Sequence, residues 1–211
     1  LVDNDCDGWR DEGADSPCIE EGMIIITEFQ PASSLPNPTG EWIELMNTTT
    51  NSLYLDGLQV NIDQSSDTPP AVVAGPITLA PGEFYLLCYS MSDSFDCDAQ
   101  YGDGKSYDSI DYSIPNLSFI QTRLTVKVTS GAAAVFTDTV SYNTSLGWPE
   151  APDGQGGHSL ELAFVDGVPS SFRSSDYWCR NTTDLYLTIT EDGVDYSDYG
   201  TPGAPNTCTK E

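Results

Sequence analysis

Short apolar stretches recur along most of this chain, and turn-forming residues separate one stretch from the next. Within several of them apolar and polar side chains alternate, as in RLTVKVT at 123–129. Because a period of two places successive side chains on opposite faces of an extended chain, this pattern is typical of half-buried strands. It predicts strands at 23–29, 41–47, 58–62, 83–89, 123–129, 134–142, 159–164 and 185–190.

The segments between these stretches contain the turn motifs PNPTG, APGE, PNLS, WPEAPDGQGG and TPGAPN, and no segment carries a sustained helical repeat. Short strands separated by proline and glycine turns are typical of a β-sandwich or barrel, so the sequence predicts an all-β fold. Residues 63–76 and 90–115 are predicted to be long surface loops. Such loops on a rigid sandwich are the usual carriers of binding.

The composition changes abruptly at Met23, because residues 1–22 are acidic and almost free of apolar side chains. We therefore predict a short irregular segment at 1–22 and a β domain at 23–211. A chain of 211 residues suits one large β domain or two small ones. A compact chain of this size buries roughly 70% of its unfolded surface, which is enough for a real core.

Several segments together resemble one family, the lamin tail domain in its secreted bacterial branch. In chain order they are IITEFQP, GEWIELMN, LDGL, LAPGEFYLL, LTVKV, DTVSY, WPE, SLEL and TPGAPN. The resemblance covers about residues 23–206. It implies an immunoglobulin-like β-sandwich and a non-catalytic module, since bacterial members are typically attached to extracellular hydrolases, nucleases or surface proteins. The chain exceeds the ~100 residues of an immunoglobulin-type sandwich, and the excess lies in the two loops and around 166–195.

The charge balance excludes several partners. Seven Lys or Arg stand against 33 Asp or Glu, which gives a net charge of −26. Such a surface repels nucleic acid and anionic membranes, because phosphate binding needs clustered basic side chains. No apolar run approaches the ~18 residues of a spanning helix, so no membrane insertion is expected. The chain opens with LVDND, so any export signal is expected to have been removed or to lie upstream.

The sharpest local motif is DNDCDGWRDEG at 3–13. Oxygen ligands at alternate positions, followed by a glycine that permits a sharp turn, suit Ca²⁺. The predicted single calcium site comprises five side chains and one backbone carbonyl, from Asp3, Asp5, Asp7, Asp11, Glu12 and Trp9. The position of the last EF-hand ligand holds Ala14, so Glu12, Asp15 or a water completes the shell.

The same segment resembles the short DNDCDG-type metal-binding repeats of secreted bacterial surface proteins. Copper is disfavoured because no His or Met lies nearby. An acidic tether that binds metal weakly or not at all is the alternative. A second acidic group, which either ligates Ca²⁺ or forms a solvated loop, comprises Asp93, Asp96, Asp98, Asp103 and Asp108.

Six cysteines are unusual in a reduced cytosol unless they bind metal. Zinc is disfavoured because the chain has no Cys-x-x-Cys pair and His158 is its only imidazole. Disulfides and a secreted or cell-surface location are therefore predicted. Many pairings are possible, and a nearest-neighbour assignment joins Cys6 to Cys18, Cys88 to Cys97 and Cys179 to Cys208.

Signals for catalysis are weak. A serine triad would need His158, and the chain has no Gly-x-Ser-x-Gly elbow. A pair of glycosidase carboxylates would come from the glutamates in predicted strands, namely Glu28, Glu41, Glu44 and Glu161. The family resemblance instead implies that Glu28 and Glu44 face outward or towards a turn. The aromatic residues that either line a sugar-binding face or belong to the core are Trp42, Phe84, Tyr142, Trp148 and Trp178.

These observations together predict an extracellular, non-catalytic module for adhesion, assembly or targeting. It would be stabilised by calcium and disulfides, and it would meet a protein or a glycan at the cell surface or assemble with itself. The alternatives are an accessory domain of a secreted hydrolase or nuclease, and a subunit of a surface filament or layer.

Overall fold

A computed structural model of the chain describes most of the β-rich part of the sequence. The described residues are 19–31, 33, 40–55, 58–62, 71–73, 77–88, 97, 99–100, 123–129, 136–143, 147–149, 157–165, 168–169, 174–191 and 193–209. They form an all-β fold of mostly antiparallel strands, with one 3₁₀ turn at Ser175–Tyr177 in this part of the chain. The predicted fold class is therefore confirmed.

The strands are numbered in chain order. Their bounds are β1 Ile24–Gln30, β2 Trp42–Asn47, β3 Leu53–Tyr54, β4 Gln59–Ile62, β5 Ala71–Val72, β6 Thr78–Leu79, β7 Phe84–Cys88, β8 Ala99–Gln100, β9 Arg123–Thr129, β10 Phe136–Asn143, β11 Leu160–Leu162, β12 Phe164–Val165, β13 Val168–Pro169, β14 Trp178–Arg180, β15 Leu185–Glu191 and β16 Val194–Tyr199. Each of the eight predicted stretches contains a strand, so these predictions are confirmed.

The largest sheet has six strands in the order β14-β11-β1-β2-β7-β8. Its neighbours pair antiparallel except β7 and β8, which run parallel. A second sheet has four strands in the order β10-β9-β4-β5. Three two-stranded ladders, β3-β6, β12-β13 and β15-β16, complete the strands seen in the described ranges.

One face of the six-stranded sheet, the core face, is apolar and packs against the four-stranded sheet. Phe29 of β1 lies in one hydrophobic cluster with Val140 and Tyr142 of β10, and its ring meets that of Tyr142 edge-on with centroids 5.9 Å apart. The Trp178 ring on β14 lies 5.4 Å from Phe29. Complete burial of side chains this large supplies most of the hydrophobic stabilisation of the two layers.

The opposite face of the six-stranded sheet, the second face, is set by a bulge in β1. Ile26 pairs with Leu45 and Glu28 pairs with Glu44, so two steps along β1 match one step along β2 and Thr27 is the extra residue. Beyond the bulge the alternation restarts. Phe29 therefore points to the core face while Glu28 points to the second face.

A third layer covers this second face. The β15-β16 hairpin places Tyr186 against Trp42, with ring centroids 5.9 Å apart, and the Trp42 indole Nε1 donates a hydrogen bond of 2.9 Å to the Tyr186 hydroxyl. The hairpin is joined to the main sheet by a parallel bridge between His158 and Tyr199. Residues 200–208, called here the C-terminal segment, continue from the hairpin.

Two of the predictions about loops are partly wrong. Strand β5 lies inside the predicted loop 63–76, and strand β8 lies inside the predicted loop 90–115. Both are two-residue strands that add to the edge of a longer one, and too few residues alternate in them for a pattern to be visible in the sequence. The remainder of both loops lies outside the described residues, except Val73 and Cys97.

In the part of the chain that the structure describes, no helix is long and apolar enough to cross a membrane.

Candidate functional site

The predicted calcium segment lies outside the described residues. This applies to Asp3, Asp5, Asp7, Trp9, Asp11 and Glu12, to the Cys6–Cys18 pair within the same segment, and to the second acidic group at 93–108. The calcium site, the Cys6–Cys18 bridge and the second acidic group stay predictions. Within the described residues, no group of three or more His, Cys, Asp or Glu is arranged to hold a metal ion.

The most unusual chemical feature of the described structure is a row of three buried glutamates. Glu28 of β1 pairs in register with Glu44 of β2 on one side and with Glu161 of β11 on the other. Their exposed fractions are 0% for Glu28 and Glu44 and 1% for Glu161. The expectation that Glu28 and Glu44 face outward or towards a turn is therefore wrong, because the third layer covers the face on which they lie.

Glu44 accepts hydrogen bonds at both carboxylate oxygens. The Thr27 hydroxyl donates to Oε1 over 2.5 Å, and the backbone N–H of Gly203 donates to Oε2 over 2.7 Å. The bulge that makes Thr27 an extra residue thus supplies a donor beside the row. Gly203 has φ +76°, a conformation that favours glycine and that lets the segment turn its N–H towards Glu44.

Glu161 accepts from three donors. The Cys208 N–H donates to Oε2 over 2.9 Å, while the Asn181 amide and the Thr201 hydroxyl, the latter at 3.2 Å, both reach Oε1. The same Asn181 amide also donates to Asp184 over 2.9 Å. These three hydrogen bonds replace those that the Glu161 carboxylate would make with water if it were exposed.

Glu28 lies in the middle of the row, where it contacts Thr201 and the Ser159 hydroxyl. The Thr201 N–H donates to Oε1 over 3.0 Å, and the Thr201 hydroxyl lies 2.9 Å from Oε2. Burial raises the pKa of the Glu28 carboxyl well above its usual range, and the negative charges of Glu44 and Glu161 raise that pKa further.

Asn206 fastens the end of the segment to the sheet. Its side-chain amide donates to the Thr27 carbonyl over 2.7 Å and to the Leu162 carbonyl over 2.9 Å. One side chain thereby satisfies a backbone acceptor beside the bulge in β1 and another at the end of β11. Asn206 is only 7% exposed, and its side chain links the C-terminal segment to both β1 and β11.

Two predicted disulfides are present. Cys179 of β14 is bonded to Cys208 at the end of the C-terminal segment, with Cα atoms 5.7 Å apart. Cys88 of β7 is bonded to Cys97, with Cα atoms 6.0 Å apart. The first bridge holds the segment across the glutamate row, and the second ties Cys97, within the predicted loop 90–115, to β7 of the six-stranded sheet.

Gly200 is the point of closest approach between the C-terminal segment and the row. A Cβ atom there would lie 2.8 Å from Glu28 Oε1, 3.0 Å from the Ser159 hydroxyl and 3.1 Å from the Trp42 ring. Glycine is thus required by space rather than by an unusual φ.

We expect Gly200→Ala to lower the free energy of unfolding by about 1–3 kcal/mol, because the added methyl group forces the segment off the row. Urea unfolding followed by tryptophan fluorescence measures this. The exposed neighbour variant Ala204→Ser serves as the control, with an expected change within about 0.5 kcal/mol. Equal effects of the two substitutions would contradict the close packing at Gly200.

The far end of the second face is also buried and polar. Burial raises the pKa of the Tyr186 phenol, and the negative charge of Asp198 raises it further. Asp198 accepts from the Gly157 N–H over 2.9 Å and from the Ser33 hydroxyl. The Gln30 side chain is fully buried, and its contact with the Tyr186 phenol opposes part of this rise in pKa.

His158 is held by structural contacts. Its Nδ1 lies 2.6 Å from the Asn181 carbonyl, and its ring stacks on that of Tyr199 at 5.0 Å. A ring nitrogen paired with a carbonyl oxygen donates its proton to that oxygen, so this nitrogen does not act as a base towards a serine.

The aromatic residues proposed for a sugar-binding face are mostly in the interior. Trp42, Tyr142 and Trp178 are at most 1% exposed, and Trp148 is 7% exposed. Trp42 belongs to a small cluster with Leu86 and Cys88, separate from the main core, as expected from its alternation with Ile43. Phe84 is half-buried.

Sequence reasoning identified all three glutamates of the row but not the residues that bind them. The donors it missed are Thr27, Asn181, Thr201, Gly203, Asn206 and Cys208. The sequence predicts TPGAPN to be a turn and a segment of the family resemblance, but not a source of hydrogen-bond donors to the glutamates. The signal in the sequence is that glutamates occur within strands while TPGAPN near the C-terminus offers hydrogen-bond donors. A buried carboxylate requires such donors from elsewhere in the chain.

No protein-family model matches the chain, and no curated protein matches it either.

Proposed function

We propose that this chain is an extracellular, non-catalytic module for adhesion, assembly or targeting, which meets a protein or a glycan through its loops and sheet edges. The observation that carries the proposal is that the glutamates in the strands of the six-stranded sheet are buried within the fold. The four glutamates that would supply a glycosidase pair are buried, and the oxygens of Glu28, Glu44 and Glu161 accept hydrogen bonds from the chain itself. They hold a layer of the fold together.

Coverage of the six-stranded sheet supports a role for loops and edges. The four-stranded sheet packs on its core face, and the hairpin with the C-terminal segment covers its second face. Binding to a broad sheet surface would require the protein to lose one of these layers. The Cys88–Cys97 bridge anchors the long stretch after β7 to this rigid scaffold, an arrangement typical of binding loops.

We also propose that the fold is the immunoglobulin-like sandwich of the lamin tail domain family. Four of the segments that carry this resemblance, IITEFQP, GEWIELMN, SLEL and TPGAPN, meet at the glutamate row. The resemblance therefore coincides with residues that have a physical task in the fold. Two disulfides are compatible with a secreted or cell-surface location, where oxidising conditions preserve them.

One Ca²⁺ ion is proposed for the N-terminal segment, held by Asp3, Asp5, Asp7, Asp11, Glu12 and the Trp9 carbonyl. Its binding is expected to raise the melting temperature, because an ion that prefers the native state adds about 2.7 kcal/mol of stability at one hundred times its dissociation constant. Calorimetric titration of chelator-stripped protein measures the binding.

A double variant, Asp5→Asn with Asp7→Asn, should abolish the heat of binding, whereas Glu21→Gln outside the ligand set should leave it unchanged. The absence of both heat and a melting shift in millimolar Ca²⁺ would refute the site and favour an acidic tether.

Assembly and glycan binding are tested separately. Light scattering and electron microscopy with Ca²⁺ and with chelator report self-association, which a charge of −26 opposes unless cations neutralise the contact. A glycan array reports carbohydrate binding. Turnover of a nucleic-acid, ester or glycoside substrate by the isolated chain, abolished by a change at His158, would show that the non-catalytic proposal is wrong.

A further inference from the structure

The Thr201 hydroxyl lies between two carboxylates of the glutamate row. Its oxygen is 2.9 Å from Glu28 Oε2 and 3.2 Å from Glu161 Oε1. A hydroxyl carries one hydrogen, so it donates to one of these carboxylates at a time. If both carboxylates were ionised, the Thr201 hydrogen would point to only one of them. The hydroxyl oxygen and the other carboxylate oxygen would then face each other with no hydrogen between them. The geometry therefore calls for one more hydrogen.

Charge balance leads to the same requirement. Among the described residues, neither Glu28 nor Glu161 contacts a lysine, arginine or histidine. Of the described residues, the titratable groups shown to act on Glu28 are acids, namely Glu44 of β2, Glu161 of β11 and Tyr186 of the hairpin. Buried adjacent charges of one sign are very unfavourable, so a proton on Glu28 relieves the repulsion that Glu44 and Glu161 exert on it.

The hydrogen-bond pattern identifies the oxygen on which this charge fits. The Glu44 oxygens face the Thr27 hydroxyl and the Gly203 N–H, and Glu161 faces the Cys208 N–H and the Asn181 amide. Backbone and amide N–H groups only donate, so they require an unprotonated oxygen. The Thr201 N–H lies nearer to Glu28 Oε1, at 3.0 Å, than to Oε2, at 3.3 Å. The nearest partner of Oε2 is the Thr201 hydroxyl, which can accept a hydrogen from Glu28 and pass its own to Glu161.

We propose that the glutamate row binds one proton at neutral pH, carried on Glu28 Oε2 and linked through the Thr201 hydroxyl to Glu161, and that this proton keeps the C-terminal segment docked on the sheet. The row is thus a proton-binding site that makes docking of residues 200–208 depend on pH. The inference is independent of the proposed adhesive function.

The direction of the pH dependence follows from the raised pKa of Glu28 in the folded chain. The native state keeps this proton at pH values where the unfolded chain, with an ordinary glutamate, has lost it. The stabilisation is fully present below the unfolded pKa, and it is lost as pH rises through the folded pKa. In the interval between the two pKa values, the unfolding constant rises about tenfold per pH unit from this group alone. Alkaline conditions should therefore loosen the segment.

Infrared spectroscopy in heavy water tests for the proton directly. At neutral pH the wild type should show the carbonyl band of a protonated carboxylic acid, and Glu28→Gln should lack it. Gln keeps the shape of the protonated acid and should remain folded. The exposed control Glu21→Gln should keep the band. No such band in the wild type would overturn the proposal, and so would a band that appears only after chelator treatment, because a metal ion would then neutralise the row.

Hydrogen exchange tests the consequence for the segment. The amides of Thr201, Gly203 and Cys208 each donate to a different glutamate, so each reports one member of the row. The exchange rate of the Thr201 amide, divided by its intrinsic rate, gives the fraction of time that the segment is open at this residue. In the wild type this fraction should increase as pH rises above about 5. In Glu28→Gln the same amide should show no such increase. Equal pH profiles of the wild type and Glu28→Gln would overturn the proposal. If Glu28→Gln does not fold, a wild-type profile that does not change with pH would overturn it.

Discussion

Replacing Cys179 and Cys208 together by serine is expected to lower the free energy of unfolding by about 3–4 kcal/mol. The bridge closes a chain separation of 29 residues, and it holds both the edge strand β14 and the end of the C-terminal segment. Its loss frees the unfolded chain and also weakens the Cys208 N–H bond to Glu161. Denaturant unfolding of the double variant measures the change.

The Cys88–Cys97 pair provides the matched control, because it closes a separation of only 9 residues. On the same chain-entropy argument its removal should cost about 2.5 kcal/mol. If removing the Cys88–Cys97 pair lowered the free energy of unfolding more than removing the Cys179–Cys208 pair, loop-closure entropy would not determine how much each bridge stabilises the fold.

Glu161→Ala is expected to lower the free energy of unfolding by about 3–5 kcal/mol, because removing one partner of a buried charged network leaves the others unsatisfied. The Asn181 amide, the Thr201 hydroxyl and the Cys208 N–H all lose an acceptor. Removing one negative charge from the buried row offsets part of this cost but does not satisfy three donors. Urea unfolding at neutral pH gives the difference.

Two further variants make this measurement specific. Glu161→Gln keeps one acceptor oxygen and the side-chain volume, so its cost should be smaller than that of Glu161→Ala. Glu21→Ala removes an exposed carboxylate and should change stability by no more than about 0.5 kcal/mol. A cost for Glu161→Ala as small as that of Glu21→Ala would mean that the row contributes little to stability.

The strand positions could be predicted because strand periodicity is a local property of sequence. The alternation in RLTVKVT and the cluster of β-branched residues before Glu28 each mark a strand without knowledge of its partners. Trp42 and Ile43 are neighbours in β2, so strand alternation places them on opposite faces, and they lie in separate clusters. Strand β16 is not among the predicted strands, because two of the six residues in its sequence, VDYSDY, are aspartates.

The burial of the glutamate row could not be predicted in this way. Glu28 and Glu44 occupy the polar phase of their strands, which in a two-layer sandwich faces water. What covers them is Thr201, which is separated from Glu28 by 173 positions in sequence. No window along β1 contains that information. The bulge at Thr27 adds a second difficulty, because it changes the face on which later residues of β1 lie.

The contact between β1 and the C-terminal segment also constrains how the chain folds. Since a chain is made from its N-terminus, β1 and β2 exist before the residues that cover their glutamates have been synthesised, and long-range pairing of this kind is slow to form. During that interval Glu28 and Glu44 are hydrated and ionised. Charged side chains on exposed strands oppose association with other chains, so the same residues that are costly to bury protect the unfinished sheet from aggregation.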